Sequence, residues 1–107
     1  LWAESWADFQ KQDVSGECFS QIDFPIRIRD PQSIAQPFID CQVTAEFELV
    51  QDKSSANAMR VEGFCDSLDG SIYRVRFMPM QPGEYRYTIR IQHGQRFAEQ
   101  KGKCTIA

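Results

Sequence analysis

Histidine is nearly missing from this sequence, with His93 the single example in 107 residues. A Cys/His zinc site at any of the usual spacings is therefore excluded, because no CxxC pair accompanies it. The four cysteines, Cys18, Cys41, Cys65 and Cys104, stand far apart. No histidine neighbours any of them to generate a thiolate, so a catalytic cysteine is not expected. No glycine-rich phosphate loop and no nucleophile motif is present. Long apolar runs are missing too: no stretch approaches the roughly 20 residues of a membrane-spanning helix. No basic-then-apolar leader opens the chain, so any signal peptide is expected to have been removed or to lie outside this sequence. An excess of basic charge is also lacking. Twelve Lys and Arg against fifteen Asp and Glu give a net charge of −3, which argues against a nucleic acid partner.

What the chain does contain is one domain's worth of packing material. Its 107 residues are 42% hydrophobic, with eight Phe, three Tyr and two Trp. That is enough for one ordinary core and too little for a catalytic domain plus a cofactor domain. Charge is unevenly spread: residues 1–53 carry −6 and residues 54–107 carry +3. Pairing between strands of the two halves accounts for this most simply.

Alternation with a period of two dominates the pattern. Ile22, Phe24, Ile26 and Ile28 alternate with Asp23, Arg27 and Arg29. Cys41, Val43, Ala45, Phe47 and Leu49 alternate with polar residues, as do Met59, Val61 and Gly63. Tyr73, Val75 and Phe77 follow the same rule, then Tyr85, Tyr87, Ile89 and Ile91, then Cys104 and Ile106. Each run has a wet and a dry face, as in antiparallel sheets packed on a core. Asp30-Pro31, the stretch 53–57, Asp69-Gly70, the stretch 79–83 and His93-Gly94 interrupt the runs as turns. Near the N-terminus, Trp2, Trp6 and Phe9 have helical spacing, but an edge strand over 5–12, which brings the count to seven, is the preferred reading. Residues 1–19 are thus read as an N-terminal extension or edge strand, and residues 20–107 as the domain proper.

The fold class is all-β: an immunoglobulin-like antiparallel sandwich of about seven strands, over 5–12, 20–29, 40–49, 58–65, 72–78, 84–92 and 100–106. In that arrangement the first, second, fifth and fourth segments share one sheet, and the third, sixth and seventh share the other. Glu46 and Glu48 should then face Arg86 and Arg90, and Glu62 should lie beside Arg74 or Arg76. Tyr85, after Pro82-Gly83, occupies the place of a tyrosine corner, with plain core packing as the alternative. The layout brings Cys41 towards Cys65 at one pole and Cys18 towards Cys104 at the other. Two disulfides with that pairing are one expectation, and four buried thiols are the other.

The loops 30–39, 66–71 and 93–99 should gather at one pole. Phe38, Asp69, His93, Arg96 and Phe97 make that pole a candidate carbohydrate-binding surface, since sugars stack on rings and hydrogen-bond to polar neighbours. The alternative is that Phe38 and Phe97 cap the core. Asp66 and Asp69 are too close in one turn to serve as a glycosidase acid–base pair. They also lack the further acidic ligands of a calcium loop. No metal and no cofactor is expected.

Three segments resemble a known family. The string Gln36-Pro37-Phe38-Ile39-Asp40-Cys41-Gln42-Val43-Thr44-Ala45-Glu46-Phe47 resembles its "NPF-x-D-V-x-V-x-A-x-F" segment. Val61-Glu62-Gly63-Phe64-Cys65-Asp66 resembles "V-x-G-F-Y-D-G". Tyr73 to Pro79, followed by Gly83-Glu84-Tyr85-Arg86-Tyr87, resembles "Y-x-V-R-F-x-P…G-x-W/Y-x-Y". The family is the domain of unknown function 5060, an immunoglobulin-like domain at the N-terminus of candidate bacterial glycoside hydrolases, ahead of a TIM barrel. The sequence departs from it at Gln36, Cys65 and Ser67, and Cys65 replaces an aromatic ring. The stretch 66–87 also resembles filamin-type repeats. The resemblance implies a non-catalytic accessory domain of a secreted or periplasmic carbohydrate-active enzyme, with the catalytic barrel of the same polypeptide as partner. A carbohydrate-binding module that takes polysaccharide is the alternative, and a free-standing adhesion domain is a third.

Overall fold

A computed structural model describes residues 6–10, 13–29, 41–50, 58–68 and 70–107. Among these residues there are nine strands and no helix: β1 (Ala7–Phe9), β2 (Val14–Gly16), β3 (Ile22–Ile28), β4 (Cys41–Leu49), β5 (Met59–Glu62), β6 (Phe64–Cys65), β7 (Ile72–Phe77), β8 (Gly83–His93) and β9 (Arg96–Ile106). They form two sheets, ordered β1-β3-β7-β6 and β2-β9-β8-β4-β5. Every pairing is antiparallel except β2 with β9, which is parallel. This is the immunoglobulin-like sandwich expected from the sequence, with the first strand broken so that β1 edges one sheet and β2 the other.

The alternating residues fill the core. Ile22, Phe24, Ile26 and Ile28 from β3 meet Val43, Ala45, Phe47 and Leu49 from β4, with Tyr73, Val75 and Phe77, then Tyr85, Tyr87, Ile89 and Ile91, closing the interior. Four rings interlock at its centre. Phe47 stacks on Phe77 with centroids 3.8 Å apart, while Phe24 leans on Phe47 and Tyr87 at 5.5 and 4.9 Å. Tyr85 stands on edge to Phe77 at 5.3 Å and donates its hydroxyl to the Gln81 carbonyl at 2.8 Å. That bond, four residues upstream, is a tyrosine corner.

Two sequence readings are corrected here. The segment 58–65 is not one strand beside β7. Its first half, β5, pairs with β4, so Glu62 lies opposite Thr44 and away from Arg74 and Arg76. Only Phe64 and Cys65 pair with β7. The chain changes sheets at Gly63, whose N–H donates to the Val43 carbonyl at 2.8 Å. The second correction concerns 93–99. The turn is only Gly94-Gln95, with Gly94 in the left-handed region at φ 62°, and Arg96 and Phe97 belong to β9. The β4–β8 register sets Glu48 opposite Arg86, as expected, whereas Glu46 faces Thr88 and Arg90 faces Thr44.

Candidate functional site

The strand order gathers the ends of β3, β6 and β8 and the starts of β4, β7 and β9 at one pole, opposite the pole where β8 begins. At one pole β8 ends on His93, which is the register partner of Arg96 at the start of β9. Both point to the inner side of the sheet, over Trp6 just before β1. The Trp6 and His93 rings are 6.4 Å apart and tilted by 52°, and the Arg96 guanidinium lies 4.3 Å from the Trp6 ring centre. Such a cation–π contact contributes about 0.5–1 kcal/mol when exposed. Trp6 Nε1 is buried and has no hydrogen-bond partner among the described residues.

Phe97 does not join this group. Alternation along β9 turns it to the outer face of the five-stranded sheet, where it is 54% exposed and lies 4.1 Å below the Arg90 guanidinium. Phe38 and Asp69 lie outside the described residues. Of the five candidate sugar-contacting residues, the structure therefore brings His93 and Arg96 together and sends Phe97 to another surface. Trp6 completes the pole, a role its sequence position does not reveal. Only the pairing of β1 with β3 carries it there, through the Trp6 carbonyl that accepts from Arg29 N–H at 3.0 Å.

The same pole holds the hairpin from β6 to β7. Ser67 Oγ accepts from the N–H groups of Ser71 and Ile72 at 2.9 and 3.0 Å, and Gly70 takes φ 75°. Asp66 is ion-paired with Arg74. This carboxylate is engaged in closing the hairpin. Beneath the hairpin, Tyr73 is buried, and its hydroxyl lies among the thiols of Cys41 and Cys65. Burial first, and then these two thiols, push its ionisation well above the ordinary range. Cys65 Sγ also donates to the Ser67 carbonyl at 3.2 Å.

The outer face of the five-stranded sheet is a mosaic of charge. Arg60, Glu46, Thr88 and Lys101 form one cross-strand row, and Glu62, Thr44, Arg90 and Glu99 the next. Opposite signs alternate there, so no strong field of either sign results. Among the described residues, no group of three His, Cys, Asp or Glu side chains could hold a metal ion.

At the other pole, Tyr85 has Cys18 and Cys104 as neighbours, and its pKa is raised chiefly by burial. Cys104 is fully buried, and burial pushes its thiol up to about 11. No disulfide joins the four cysteines in this structure. They divide by pole, one pair around Tyr73 and the other around Tyr85.

Comparison with solved structures supports the fold. A candidate glycoside hydrolase from Bacteroides vulgatus ATCC 8482 superposes with a TM-score of 0.60 at 23% identity, over 88% of this chain and only 16% of its own. An engineered protein matches with a TM-score of 0.56 at 13% identity, over 94% of this chain and 20% of its own. The Lin-41 filamin domain matches with a TM-score of 0.53 at 13% identity, over 98% of this chain and 95% of its own. A search of curated proteins finds no match to the sequence. The family profile DUF5060 covers residues 15–92, most of the sandwich from β2 to β8. The chain therefore belongs to the DUF5060 family, a domain of unknown function.

Proposed function

We propose that this domain is a non-catalytic accessory module of a glycoside hydrolase polypeptide and that it packs against the catalytic domain. The observation that carries this reading is one of extent. Nearly the whole sandwich superposes on 16% of a much longer chain, the candidate glycoside hydrolase from Bacteroides vulgatus. The described residues agree with a supporting role. The Asp66 carboxylate is tied to Arg74, and the cysteines sit beside tyrosines without a base.

Polysaccharide binding is the second reading, favoured by the juxtaposition of Trp6, His93 and Arg96. A sugar-stacking platform needs exposed rings lying flat to one surface. Here the Trp6 and His93 rings are tilted, a guanidinium covers Trp6, and Phe97 faces elsewhere. The accessory reading is therefore preferred. Affinity electrophoresis through gels containing plant and bacterial polysaccharides tests the choice. Unchanged mobility in every gel is expected. Retardation that disappears on Trp6→Ala or Phe97→Ala would replace the accessory reading with the binding one.

A further inference from the structure

Large apolar side chains stand exposed at six described positions: Phe19, Met59, Leu68, Met78, Met80 and Phe97. Three of them form one patch. Phe19, Met78 and Met80 are 68%, 51% and 68% exposed, and they project from two loops joined where Phe19 N–H donates to the Pro79 carbonyl at 2.8 Å. Pro79 between the two methionines is buried, so the alternation of this loop turns both methionines outward. Phe19 holds φ 61°, a conformation that is an outlier for a bulky aromatic residue. The turn thus keeps its ring in solvent, where an isolated domain gains nothing from it.

The last strand meets the sandwich edge at the same place. Ala107 N–H donates to the Gly16 carbonyl at 2.9 Å, and the Ala107 carbonyl accepts from Cys18 N–H at 3.3 Å. Phe19 is therefore the next residue along from the end of β9. A domain that follows β9 in one polypeptide must leave at this pole. Its attachment holds it beside the patch at high effective concentration. Among the described residues, the outer face of the five-stranded sheet is a charge mosaic, and the opposite pole carries Arg96, His93 and the Asp66–Arg74 pair.

We propose that Phe19, Met78 and Met80 form the docking surface on which the catalytic domain following β9 in the same polypeptide sits. This rests on the accessory-module reading. Glu17, Ser20 and Gln81 are exposed around the patch and supply the polar rim usual for such interfaces.

The chain's three methionines provide the test, since Met59 belongs to β5 and not to either of the two loops, and serves as the internal reference. Peroxide oxidation to the sulfoxide is followed by mass spectrometry in the 107-residue chain and in the polypeptide that also carries the following domain. Met78 and Met80 are expected to oxidise several-fold more slowly in the longer polypeptide, with Met59 unchanged. Phe19→Ser combined with Met80→Ser alters only exposed positions and should return Met78 to its rate in the short chain. Unchanged Met78 and Met80 rates, with hydrogen-exchange protection around Phe97 or Trp6 instead, would overturn this surface while leaving the accessory reading intact. Unchanged rates with no protection anywhere on the sandwich would overturn both.

Discussion

Two tyrosines organise the four cysteines. Tyr73 carries Cys41 and Cys65 beside its hydroxyl, and Tyr85 has Cys18 and Cys104 as neighbours. The two groups sit at opposite poles, separated by the length of β8. Oxidation can therefore join cysteines only within a group, because a disulfide requires Cα atoms about 4.4–6.8 Å apart. Incubating the native chain with oxidised glutathione supplies the oxidant: each bridge forms as two thiols lose two protons and two electrons to the glutathione disulfide. Peptide mapping without reductant is expected to find Cys41–Cys65 and Cys18–Cys104. Each bridge that forms without distorting the strands should stabilise by about 2–4 kcal/mol. The second should form more slowly, since Cys104 is fully buried and its thiol is pushed up to about 11. A Cys18–Cys41 or Cys41–Cys104 crosslink in native protein would contradict the separation of the poles. The pairing could be read from strand order alone, because it depends only on which ends of strands share a pole. The place of the tyrosines between the sulfurs could not, since Tyr73 looks like any other inward residue of an alternating run and the corner position of Tyr85 carries no sign of Cys18.

At the level of elements, the crossing at Gly63 is the point where local pattern and long-range pairing part company. Met59, Val61 and Gly63 keep a period of two, so the run reads as one strand through to Cys65. The ladder partners differ on the two sides of the glycine: β5 bonds to β4, and β6 bonds to β7. Which sheet a strand joins is decided by residues far away in sequence, and a period carries no information about it. The glycine is the one local sign. A Cβ at position 63 would come within 2.6 Å of Val43 Cγ1 and 2.8 Å of the Arg74 carbonyl oxygen. The second contact is with backbone, so the clash cannot be relieved by a side-chain rotation alone. Gly63→Ala is expected to lower stability by about 1–3 kcal/mol, the usual cost of overpacking, in urea denaturation. Gly16→Ala is the informative comparison. Its nearest contact, 2.5 Å, is with Ile22 Cδ1, the far end of a flexible side chain, and it should cost less. Equal losses would show that the crossing is not held by close approach at position 63. The start of β9 escaped the sequence reading for a related reason. Its inward residues, Arg96, Ala98, Gln100 and Gly102, are polar or small, so no dry face marks the strand. Their register opposite His93, Ile91, Ile89 and Tyr87 turns them inward, where the Arg96 guanidinium lies over Trp6 and Gln100 Nε2 donates to Tyr87 Oη at 3.3 Å. The core residues other than Ala7 were legible, since each contributes an apolar side chain to a strict alternation. The candidate site was legible only as far as His93 and Arg96, because Trp6 reaches it through tertiary pairing.

For the molecule as a whole, the distribution of ionisable groups between surface and core sets its response to pH. The described ion pairs, Arg29–Asp8, Arg74–Asp66, Arg76–Asp23 and Lys103–Glu84, are all solvent-accessible, and exposed pairs contribute about 0–1 kcal/mol each. The buried ionisable groups are of another kind. All three tyrosines of the chain, Tyr73, Tyr85 and Tyr87, lie in the core, and so does Cys104. Burial raises the pKa of every one of them. In the unfolded chain the tyrosines titrate near 10.0 and the thiol near 9.0. As pH climbs past those values, the unfolded chain releases protons that the folded chain still holds, so the unfolded state gains and stability falls. Below them both states are protonated, and the contribution of these groups is fully retained. The melting temperature should therefore be level from neutral pH to about 9 as far as these groups are concerned, and should drop steadily towards 11. Because the tyrosines hold rings from both sheets together, tyrosinate absorbance is expected to rise in step with loss of the β-sheet circular dichroism signal. Tyrosinate appearing from all three residues while the sandwich keeps its native signal would show that they are accessible to solvent. The core of Phe24, Phe47, Phe77 and the tyrosines would then be packed differently from the arrangement described above.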